Sequence, residues 1–237
     1  HISPASLLYY TLQMSDNNAA DILFDRYASP AKVDSIVRAN TVARDFALRH
    51  TEDEMHADTA VCRENYSTPA DAATLMHDFF TTDSSMSAVA VRAVMSQKSA
   101  FGRNRLAAGF PEGKATIYHK TGTGEARSDG SQTAINDVGF IYYPRNDGSF
   151  GYYTIAVFLS DFDGSAQEAE ARIAEISEAV WSYAMIADAN YAQGRILLPA
   201  GSPRQSSTYE TGPEGAAAFI IPVADAILEA VFESIFE

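Results

Sequence analysis

Cysteine is almost absent from this sequence, which contains only Cys62, so no disulfide can form within the chain. A lone cysteine does not identify the compartment of a protein. We expect Cys62 to be a small, half-buried residue. His50, His77 and His119 lack the spacing of metal ligands, which disfavours a zinc hydrolase, and we expect neither a metal nor a cofactor.

Positive charge is also scarce, because Lys and Arg number 17 against 31 for Asp and Glu, which gives a net charge of −14. Nucleic-acid phosphates require a basic face, so this composition argues against a nucleic-acid partner. The same reasoning argues against an anionic membrane surface. No apolar run reaches the ~18 residues of a membrane span. The segment "HISPASLLYY" has no basic region and no long apolar core, so no signal peptide is visible in it.

Hydrophobic residues are plentiful, at 46% of the 237 residues, which is enough for one sizeable core or two small lobes. The residue pattern changes twice along the chain and predicts three parts. Residues 1–112 have mostly helical periodicity, and residues 113–187 contain strands and a long helix. Residues 188–237 combine a linker rich in Gly, Pro, Ser and Thr with an acidic amphipathic helix.

Caps and prolines indicate where helices begin in the first part. Ser3 precedes Pro4, an N-cap followed by proline at the first helical position. The run from Ser15 to Asn18 prefers caps and turns to helix interiors. We therefore expect helices on both sides of that run, and further helices after "SP" at residues 29–30 and after "STP" at residues 67–69.

Three segments of the second part have the pattern of strands: "KATIYHKTG", "NDVGFIYYP" and "FGYYTIAVFL". Asp147 and Gly148, between the last two, predict a hairpin turn. A long helix should follow from about residue 165 and pack an apolar face on the sheet. The residues of that face are Ile173, Ile176, Val180 and Ala184.

Two short motifs carry the chemistry. "SDN", residues 15–17, lies at the predicted corner between two helices, and "KTG", residues 120–122, lies in a predicted strand. They are two of the three motifs, S-x-x-K, S-D-N and K-T-G, of penicillin-recognising serine enzymes. Each triplet alone is a weak signal, but both occur in the expected structural context. The segment around Lys120 has no G-x-x-x-x-G-K pattern, so it is not a phosphate loop.

These segments together resemble the class A serine β-lactamases. "LLYYTLQMSDNNAADILFDR", "RHTEDEMHAD", "HKTGTG", "NDVGFIYYP" and "TIAVFLSDF" follow the order and approximate spacing of that family, over residues 1 to about 186. The resemblance implies an α/β fold of the α+β kind, with a helical lobe and a lobe in which helices flank an antiparallel sheet. It places the active site between the lobes, at the edge of the sheet.

The resemblance also implies roles for residues at matching positions. Ser15 would relay a proton to the departing β-lactam nitrogen, and Asn17 would contact the amide side chain of the substrate. Lys120 would place positive charge near Ser15 and the substrate carboxylate. Thr121 and Thr123 would hydrogen-bond that carboxylate, and the N–H of Thr123 would also donate to the oxyanion.

Three further positions match the family's site. Glu52 corresponds to the carboxylate that activates the deacylating water. His56 stands where the family usually has an Asn that helps to hold this water. Gly122, which has no Cβ, would let the strand edge come close to the ligand, and a threonine there would crowd the neighbouring backbone.

The nucleophile motif is the departure from the family. The only S-x-x-K is "SPAK", residues 29–32, which follows S-D-N instead of preceding it, and we expect Ser29 to be an N-cap before Pro30. The chain therefore resembles a family member that is incomplete at its N-terminus, without the first strands and the nucleophile helix. Residues 188–237 are outside the resemblance, and the sequence leaves open whether they are a natural extension or non-native.

Three hypotheses for function remain open from the sequence. The complete protein is a β-lactamase with small-molecule β-lactams as substrates, a penicillin-binding protein or D-Ala-D-Ala peptidase, or a non-catalytic binding module on the same fold. Glu52 favours the first, because the second class lacks a deacylating Glu on this loop and a binder does not need one. The resemblance further implies a periplasmic or secreted protein that is a monomer when complete.

Overall fold

The computed structural model describes residues 2–81, 85–96 and 101–192. Its helices are, in chain order, α1 (Pro4–Gln13), α2 (Asn17–Arg26), α3 (Pro30–Asn40), α4 (Glu52–Ala57), α5 (Pro69–Thr81), α6 (Met86–Met95) and α7 (Ala166–Ala192). Its strands are β1 (Phe46–Ala47), β2 (Tyr66–Ser67), β3 (Thr116–Thr123), β4 (Gln132–Pro144) and β5 (Phe150–Phe162). Short 3-10 helices cover Thr59–Glu64 and Leu106–Gly109.

Helices begin at the predicted caps. The Ser3 side chain accepts a hydrogen bond from the Ser6 N–H at 3.1 Å, with Pro4 at the start of α1. Ser29 caps α3 in the same way, because its side chain accepts from the N–H of Lys32 at 3.3 Å. The prediction that Ser29 is an N-cap is therefore confirmed.

The three predicted strands form one antiparallel sheet in the order β3-β4-β5. β4 lies in the middle and pairs with both neighbours along its length. The predicted hairpin between β4 and β5 is confirmed: the Arg145 N–H donates to the Ser149 carbonyl at 2.8 Å, and Gly148 takes a φ of +83°. β1 and β2 form a separate two-stranded sheet.

Helices cover both faces of the large sheet, which confirms the α+β class. Side chains alternate along β4, so Ile135 and Ile141 face α7 and are completely buried with Ile173 of that helix. Phe140 points to the other face, where Phe80 of α5 stacks on it with ring centroids 4.6 Å apart. Each face of β4 is thus packed against its own helix.

The buried face of α7 differs from the predicted one. Ile176 is 42% exposed, whereas Ser177 is completely buried beside Ile173. The Ser177 Oγ donates to the Leu106 carbonyl at 2.8 Å, and the 3-10 helix comes closest to α7 at Gly109. The prediction that Ile176 lies on the buried face is wrong. The spacing of apolar residues cannot reveal a buried serine, whose hydroxyl is satisfied by a hydrogen bond to the backbone.

Cys62 is exposed, so the prediction that it is half-buried is wrong. It lies on the 3-10 helix Thr59–Glu64, which runs along the surface and buries no residue. Its Sγ lies 3.6 Å from the carbonyl of Met55. Cys62 is exposed because the 3-10 helix that carries it lies on the surface, although the thiol itself is apolar.

α7 continues to Ala192 and so passes the boundary placed after residue 187. An ion pair between Arg145 and Asp188, at 2.9 Å, ties this last part of the helix to the β4–β5 hairpin. The predicted linker and acidic helix that follow lie outside the described residues. Within the described part of the chain, no helix is long and apolar enough to cross a membrane.

Replacing Gly109 by alanine tests the close packing of α7. An ideal Cβ at Gly109 would lie 2.3 Å from the Ser177 Cβ and 2.6 Å from the Glu178 nitrogen, so the helix would have to move. Overpacking of this kind costs about 1–3 kcal/mol, and we expect the urea midpoint to fall accordingly. Gly122→Ala is the control, because its Cβ would meet the Asn136 Cβ at an ordinary 3.6 Å. Equal losses in the two variants would contradict this account.

Candidate active site

The chain turns sharply between α1 and α2 at Ser15. The N–H groups of Met14 and Asp16 both donate to the Tyr10 carbonyl at 3.1 Å, which ends α1. Ser15 then takes a φ of +51°, in the left-handed region that residues other than glycine seldom adopt. The Asp16 side chain caps α2, so the turn is fixed on both sides and leaves Ser15 exposed.

Lys120 reaches from β3 to this corner. Its Nζ donates to the Ser15 Oγ at 2.8 Å and to the Thr121 carbonyl at 2.7 Å. An ammonium group can only donate, so the Ser15 oxygen accepts and its own O–H remains available to another acceptor. One hydrogen bond thus brings the two sequence motifs together across the helices and the sheet.

The surroundings of Lys120 make its ammonium group more acidic. Burial lowers the pKa of its ammonium group, because desolvation disfavours the charged form. The carboxylates of Asp137 and Glu52 act in the opposite direction, and the guanidinium of Arg105 adds to the lowering. Lys120 therefore gives up its proton more readily than an exposed lysine does.

Glu52 is the first residue of α4, and its backbone is fixed by a carboxylate from α2. Both oxygens of Asp21 accept hydrogen bonds at 2.8 Å, one from the Glu52 N–H and the other from the Asp53 N–H. Thr51 and Glu54 complete a capping box at the same helix start. The sequence analysis missed Asp21, because its partners lie 31 and 32 residues away.

The same surroundings make the Glu52 carboxylate a stronger base. Burial raises the pKa of Glu52, and the negative charge of Asp21 raises it further. The charges of His56 and Lys120 act against this shift. A carboxylate whose pKa is raised toward neutral pH is suited to take a proton from water.

His56 lies one helical turn after Glu52 on α4. Its Nδ1 is 2.8 Å from the Glu52 carbonyl, which can only accept, so Nδ1 carries the proton and Nε2 is the other ring nitrogen that can act. This hydrogen bond raises the pKa of His56, as do the charges of Glu52, Glu125 and Asp53, whereas desolvation lowers it. The imidazole ring is exposed and is held on α4, the helix that carries Glu52.

Thr121 and Thr123 lie on one face of β3 because side chains alternate along a strand, and Lys120 lies on the other. The segment 101–106 covers the first face. An ideal Cβ at Gly102, where φ is +78°, would lie only 2.4 Å from the Thr121 Cγ2. Gly102 therefore allows this segment to pack directly against the end of β3.

Arg105 is a second residue that the sequence analysis missed. Its Nη2 donates to the Thr123 Oγ1 at 2.7 Å, and its Nη1 donates to the carbonyls of Gly122 at 3.0 Å and Asn136 at 2.8 Å. Arg105 is only 5% exposed, and Glu170 balances its charge at 3.1 Å. The one signal in the sequence is an arginine within the apolar run "RLAAGF" just before the strand.

A buried carboxylate on β4 also holds the segment 101–106 in place. Asp137 is completely buried and accepts from the Leu106 N–H at 3.2 Å and from the His119 Nδ1 at 3.0 Å. Burial raises the pKa of Asp137, whereas the His119 and Leu106 hydrogen bonds and the Arg105 charge lower it. An aspartate inside an apolar strand is the sequence signal for such a site.

Gly122 and Asn17 are the remaining predicted positions. A Cβ at Gly122 would meet the Asn136 Cβ at 3.6 Å, an ordinary contact distance, so an alanine fits at this position. The crowding expected from a threonine stays a prediction. Asn17, the first residue of α2, is exposed two residues after Ser15.

Comparison with known proteins gives one consistent answer. A family model described as the β-lactamase enzyme family matches residues 1–184. A β-lactamase of Phocaeicola vulgatus is 35% identical over 183 residues, which cover 76% of this chain and 55% of the relative. The extended-spectrum β-lactamase PER-1 of Pseudomonas aeruginosa is 30% identical over 178 residues, 75% of this chain and 56% of that protein.

A solved structure agrees with the sequence relatives. The crystal structure of the TLA-3 extended-spectrum β-lactamase matches with a TM-score of 0.69 at 30% identity, over 76% of this chain and 64% of that one. The chain belongs to the class A serine β-lactamase family. It spans little more than half the length of the curated relatives it matches.

In this chain, a hydroxyl, an ammonium group and a carboxylate lie near one another where the helices meet the edge of the sheet. The hydroxyl of Ser15 can donate a proton, Lys120 supplies positive charge, and Glu52 can accept a proton. Among the described residues, no group of three or more His, Cys, Asp or Glu could hold a metal ion. The arrangement is suited to acyl transfer, in which negative charge and protons move over short distances.

The raised pKa of Glu52 predicts how the stability of this chain depends on pH. A carboxyl group whose folded-state pKa lies above its unfolded value, about 4.3, supports folding fully below that pH. Its contribution is lost as the pH rises through the folded-state pKa. The melting temperature of Glu52→Gln relative to the parent should therefore increase from pH 4 to pH 7. Glu112→Gln, at an exposed position, is the control, and a constant difference for Glu52→Gln would contradict the raised pKa.

Proposed function

We propose that this chain carries most of the binding and deacylation groups of an enzyme that hydrolyses β-lactams through a serine acyl-enzyme. The observation that carries the proposal is the 2.8 Å hydrogen bond from the Lys120 Nζ to the Ser15 Oγ, within electrostatic reach of a half-buried Glu52. The names of the relatives support the same activity, since they are β-lactamases.

Ser15 acts on the leaving group. When a serine oxygen attacks the β-lactam carbonyl, the ring C–N bond breaks and the nitrogen must receive a proton. Ser15 already accepts a hydrogen bond from Lys120, so its own O–H is free to donate that proton. Lys120, whose pKa is lowered by burial, then returns a proton to Ser15 and recovers the proton that the attacking serine hydroxyl released.

The end of β3 binds the substrate carboxylate. Thr121 and Thr123 offer hydroxyl groups on one face of the strand, and Lys120 offers positive charge from the other face at the same strand end. Arg105 holds the Thr123 hydroxyl at 2.7 Å and adds a second cation. Charge-assisted hydrogen bonds are about twice as strong as neutral ones, so an anion gains more here than a neutral group does. Gly122 leaves the strand edge open to the ligand, and Asn17 contacts the amide side chain.

Glu52 removes the acyl group. It takes a proton from a water molecule that attacks the ester carbonyl, and the serine oxygen leaves with a proton. The Asp21 carboxylate fixes the backbone of Glu52 and raises its pKa, which strengthens it as a base. His56 presents Nε2 to the same water, because its Nδ1 is bound to the Glu52 carbonyl.

Ser29 is not the nucleophile in this proposal. Its side chain caps α3 by accepting from the Lys32 N–H, so the only S-x-x-K of the 237 residues serves a helix start. The attacking serine then comes from an S-x-x-K segment other than "SPAK". For the complete protein, we further propose a periplasmic or secreted location and a monomeric state, without a nucleic-acid or membrane partner.

A penicillin-binding protein or D-Ala-D-Ala peptidase is the second candidate, because it shares the S-D-N and K-T-G motifs. Such an enzyme has no use for a deacylating carboxylate, and the Asp21 contacts that fix Glu52 argue against it. A non-catalytic binding module is disfavoured for the same reason. The lifetime of the acyl-enzyme distinguishes the first two candidates.

The test uses a form in which an S-x-x-K segment precedes residue 1, from its own gene or as a chimera with the Phocaeicola vulgatus relative. We expect this form to hydrolyse a chromogenic cephalosporin. Glu52→Gln should slow deacylation more than acylation, by about 100-fold or more, so mass spectrometry should detect a persistent adduct. Asp53→Asn, one residue away, is the matched control and should leave no such adduct.

Two outcomes would contradict this assignment. A parent protein that itself stays acylated for hours would favour the penicillin-binding alternative. The 237 residues alone should give no turnover, because Ser29 caps a helix. Turnover by this chain that Ser29→Ala abolishes would make Ser29 the nucleophile.

Lys120→Ala in the complete form should lower kcat/KM at least about tenfold, or about 1.4 kcal/mol of transition-state binding. Thermal stability should change little, because burial already opposes the charge of Lys120. Lys114→Ala, at an exposed position just before β3, is the matched control and should keep full activity. A Lys120→Ala variant with full activity and a melting temperature several degrees lower would make Lys120 a structural residue.

A further inference from the structure

His119, the residue just before the K-T-G motif, forms a buried pair with a carboxylate of the neighbouring strand. Its Nδ1 lies 3.0 Å from both carboxylate oxygens of Asp137, and the two side chains are 8% and 0% exposed. An ionised carboxylate can only accept hydrogen bonds, so Nδ1 carries the proton and donates. This His119–Asp137 pair lies beside the motif but outside it.

Two glycines make room for the His119 side chain. His119 lies opposite Gly139 of β4, and an ideal Cβ at Gly139 would stand only 3.2 Å from the His119 Cβ. A Cβ at Gly102, in the segment 101–106, would lie 3.0 Å from the His119 Cε1. Both distances are tighter than ordinary side-chain contacts, so residues without a Cβ suit these two positions. The imidazole therefore packs closely against β4 and against the segment 101–106.

Asp137 links His119 to the segment 101–106. Its Oδ2 accepts from the Leu106 N–H at 3.2 Å as well as from the His119 Nδ1. Burial raises the pKa of Asp137, and the hydrogen bond from His119 is the largest of the effects that lower it. Without His119, the carboxylate would lose the main support for its charge. A neutral carboxyl group is a weaker acceptor, so the hydrogen bond from the Leu106 N–H would weaken as well.

The residue before Leu106 is Arg105, whose guanidinium is at the far end of this series of contacts. Its backbone N–H donates to the Gly102 carbonyl at 3.0 Å, so a turn joins the two points at which the segment is held. Its side chain donates to the Gly122 carbonyl at 3.0 Å and to the Thr123 Oγ1 at 2.7 Å. A shift of the Leu106 backbone would therefore displace the guanidinium from the end of β3.

We propose that His119 is a positioning residue for the anion-binding end of β3. Through Asp137, it fixes the segment 101–106. That segment in turn holds the Arg105 guanidinium against the Thr123 hydroxyl, which receives the carboxylate of a β-lactam. The inference rests on the proposed function and adds the residue that prepares its carboxylate site. His119 is buried, so it acts through Arg105 and not by contact with the substrate.

Two amide side chains separate the hydrogen bond of His119 from its bulk. The amide nitrogen of asparagine can take the place of Nδ1 and donate to Asp137, whereas that of glutamine lies one carbon further out, near the place of Nε2. Only the asparagine variant should therefore keep the pair with Asp137 intact.

Hydrogen exchange in the 237-residue chain tests the positioning itself. His119→Gln should speed the exchange of the Leu106 N–H, followed by NMR, about tenfold or more, as expected when a hydrogen bond to a charged group is lost. In His119→Asn, the same N–H should exchange at the rate of the parent, because the donor to Asp137 is kept.

His77 provides the matched control, since it forms a second His–Asp pair on α5. Its Nδ1 lies 3.0 Å from the Asp78 Oδ1, and His77→Gln should leave the exchange of the Leu106 N–H unchanged. Exchange at the parent rate in His119→Gln would overturn the proposal. Fast exchange in His119→Asn would overturn it too, and this second variant decides the question even if His119→Gln does not fold. Neither result depends on whether the protein hydrolyses β-lactams.

The complete form tests the consequence for the substrate carboxylate. The measured quantity is the ratio of kcat/KM for a chromogenic cephalosporin to kcat/KM for its methyl ester. We expect His119→Gln to lower this ratio about tenfold, whereas His119→Asn and His77→Gln keep it. A general loss of folded protein would lower both kcat/KM values alike and leave the ratio unchanged.

The two measurements together separate the parts of the inference. An unchanged ratio in His119→Gln, combined with fast exchange of the Leu106 N–H, would overturn the link to the substrate carboxylate. A complete parent form without any turnover would overturn the proposed function and that link with it. The exchange result would still decide whether His119 holds the segment 101–106.

Discussion

The pairing of β3 with β4 is the constraint on which the candidate site depends. Its register sets Lys120 opposite Val138 and Thr121 opposite Asp137. Because side chains alternate along a strand, one face of β3 carries Lys120 to Ser15 and the other carries Thr121 toward the segment 101–106. A slip of one residue would exchange the faces and remove the hydrogen bond that joins the helices to the sheet. The apolar side chains of β4 resist such a slip, since each face is packed against its own helix.

The buried and half-buried charged residues near the β3–β4 pairing fall into two groups. Asp137 and Arg105 are buried, but each makes several hydrogen bonds and faces an opposite charge, as buried ions must. Glu52 and Lys120 are only half-buried, so their charged groups remain accessible to a ligand and to water. Groups of the first kind hold the strand end in place. Groups of the second kind keep the capacity to exchange protons, which is the property expected of catalytic residues.

Local signals predicted much of the fold, because caps, turns and period-two alternation act over a few residues. The predictions were wrong where tertiary packing determines which side chains are buried. Ser177, and not Ile176, lies on the buried face of α7, and Cys62 lies on a surface helix. In the site, the motifs identified Ser15 and Lys120, which the structure brings together. The contacts of Asp21 and Arg105 could not be predicted, since they join segments between 17 and 65 residues apart and belong to no motif.

The candidate site is organised by contacts between residues of this chain alone. Asp21 sets the position of Glu52, and Lys120 meets Ser15 directly, without any contribution from a nucleophile segment. Electrostatic stabilisation of a transition state is effective when the donors and charges are fixed before the reaction begins. Under the proposed function, a serine that reaches this site would meet a proton donor for the leaving nitrogen, a cation for the carboxylate and a base for water, each already in place. The serine would supply the bond, and this chain would supply the environment in which that bond forms and is later hydrolysed.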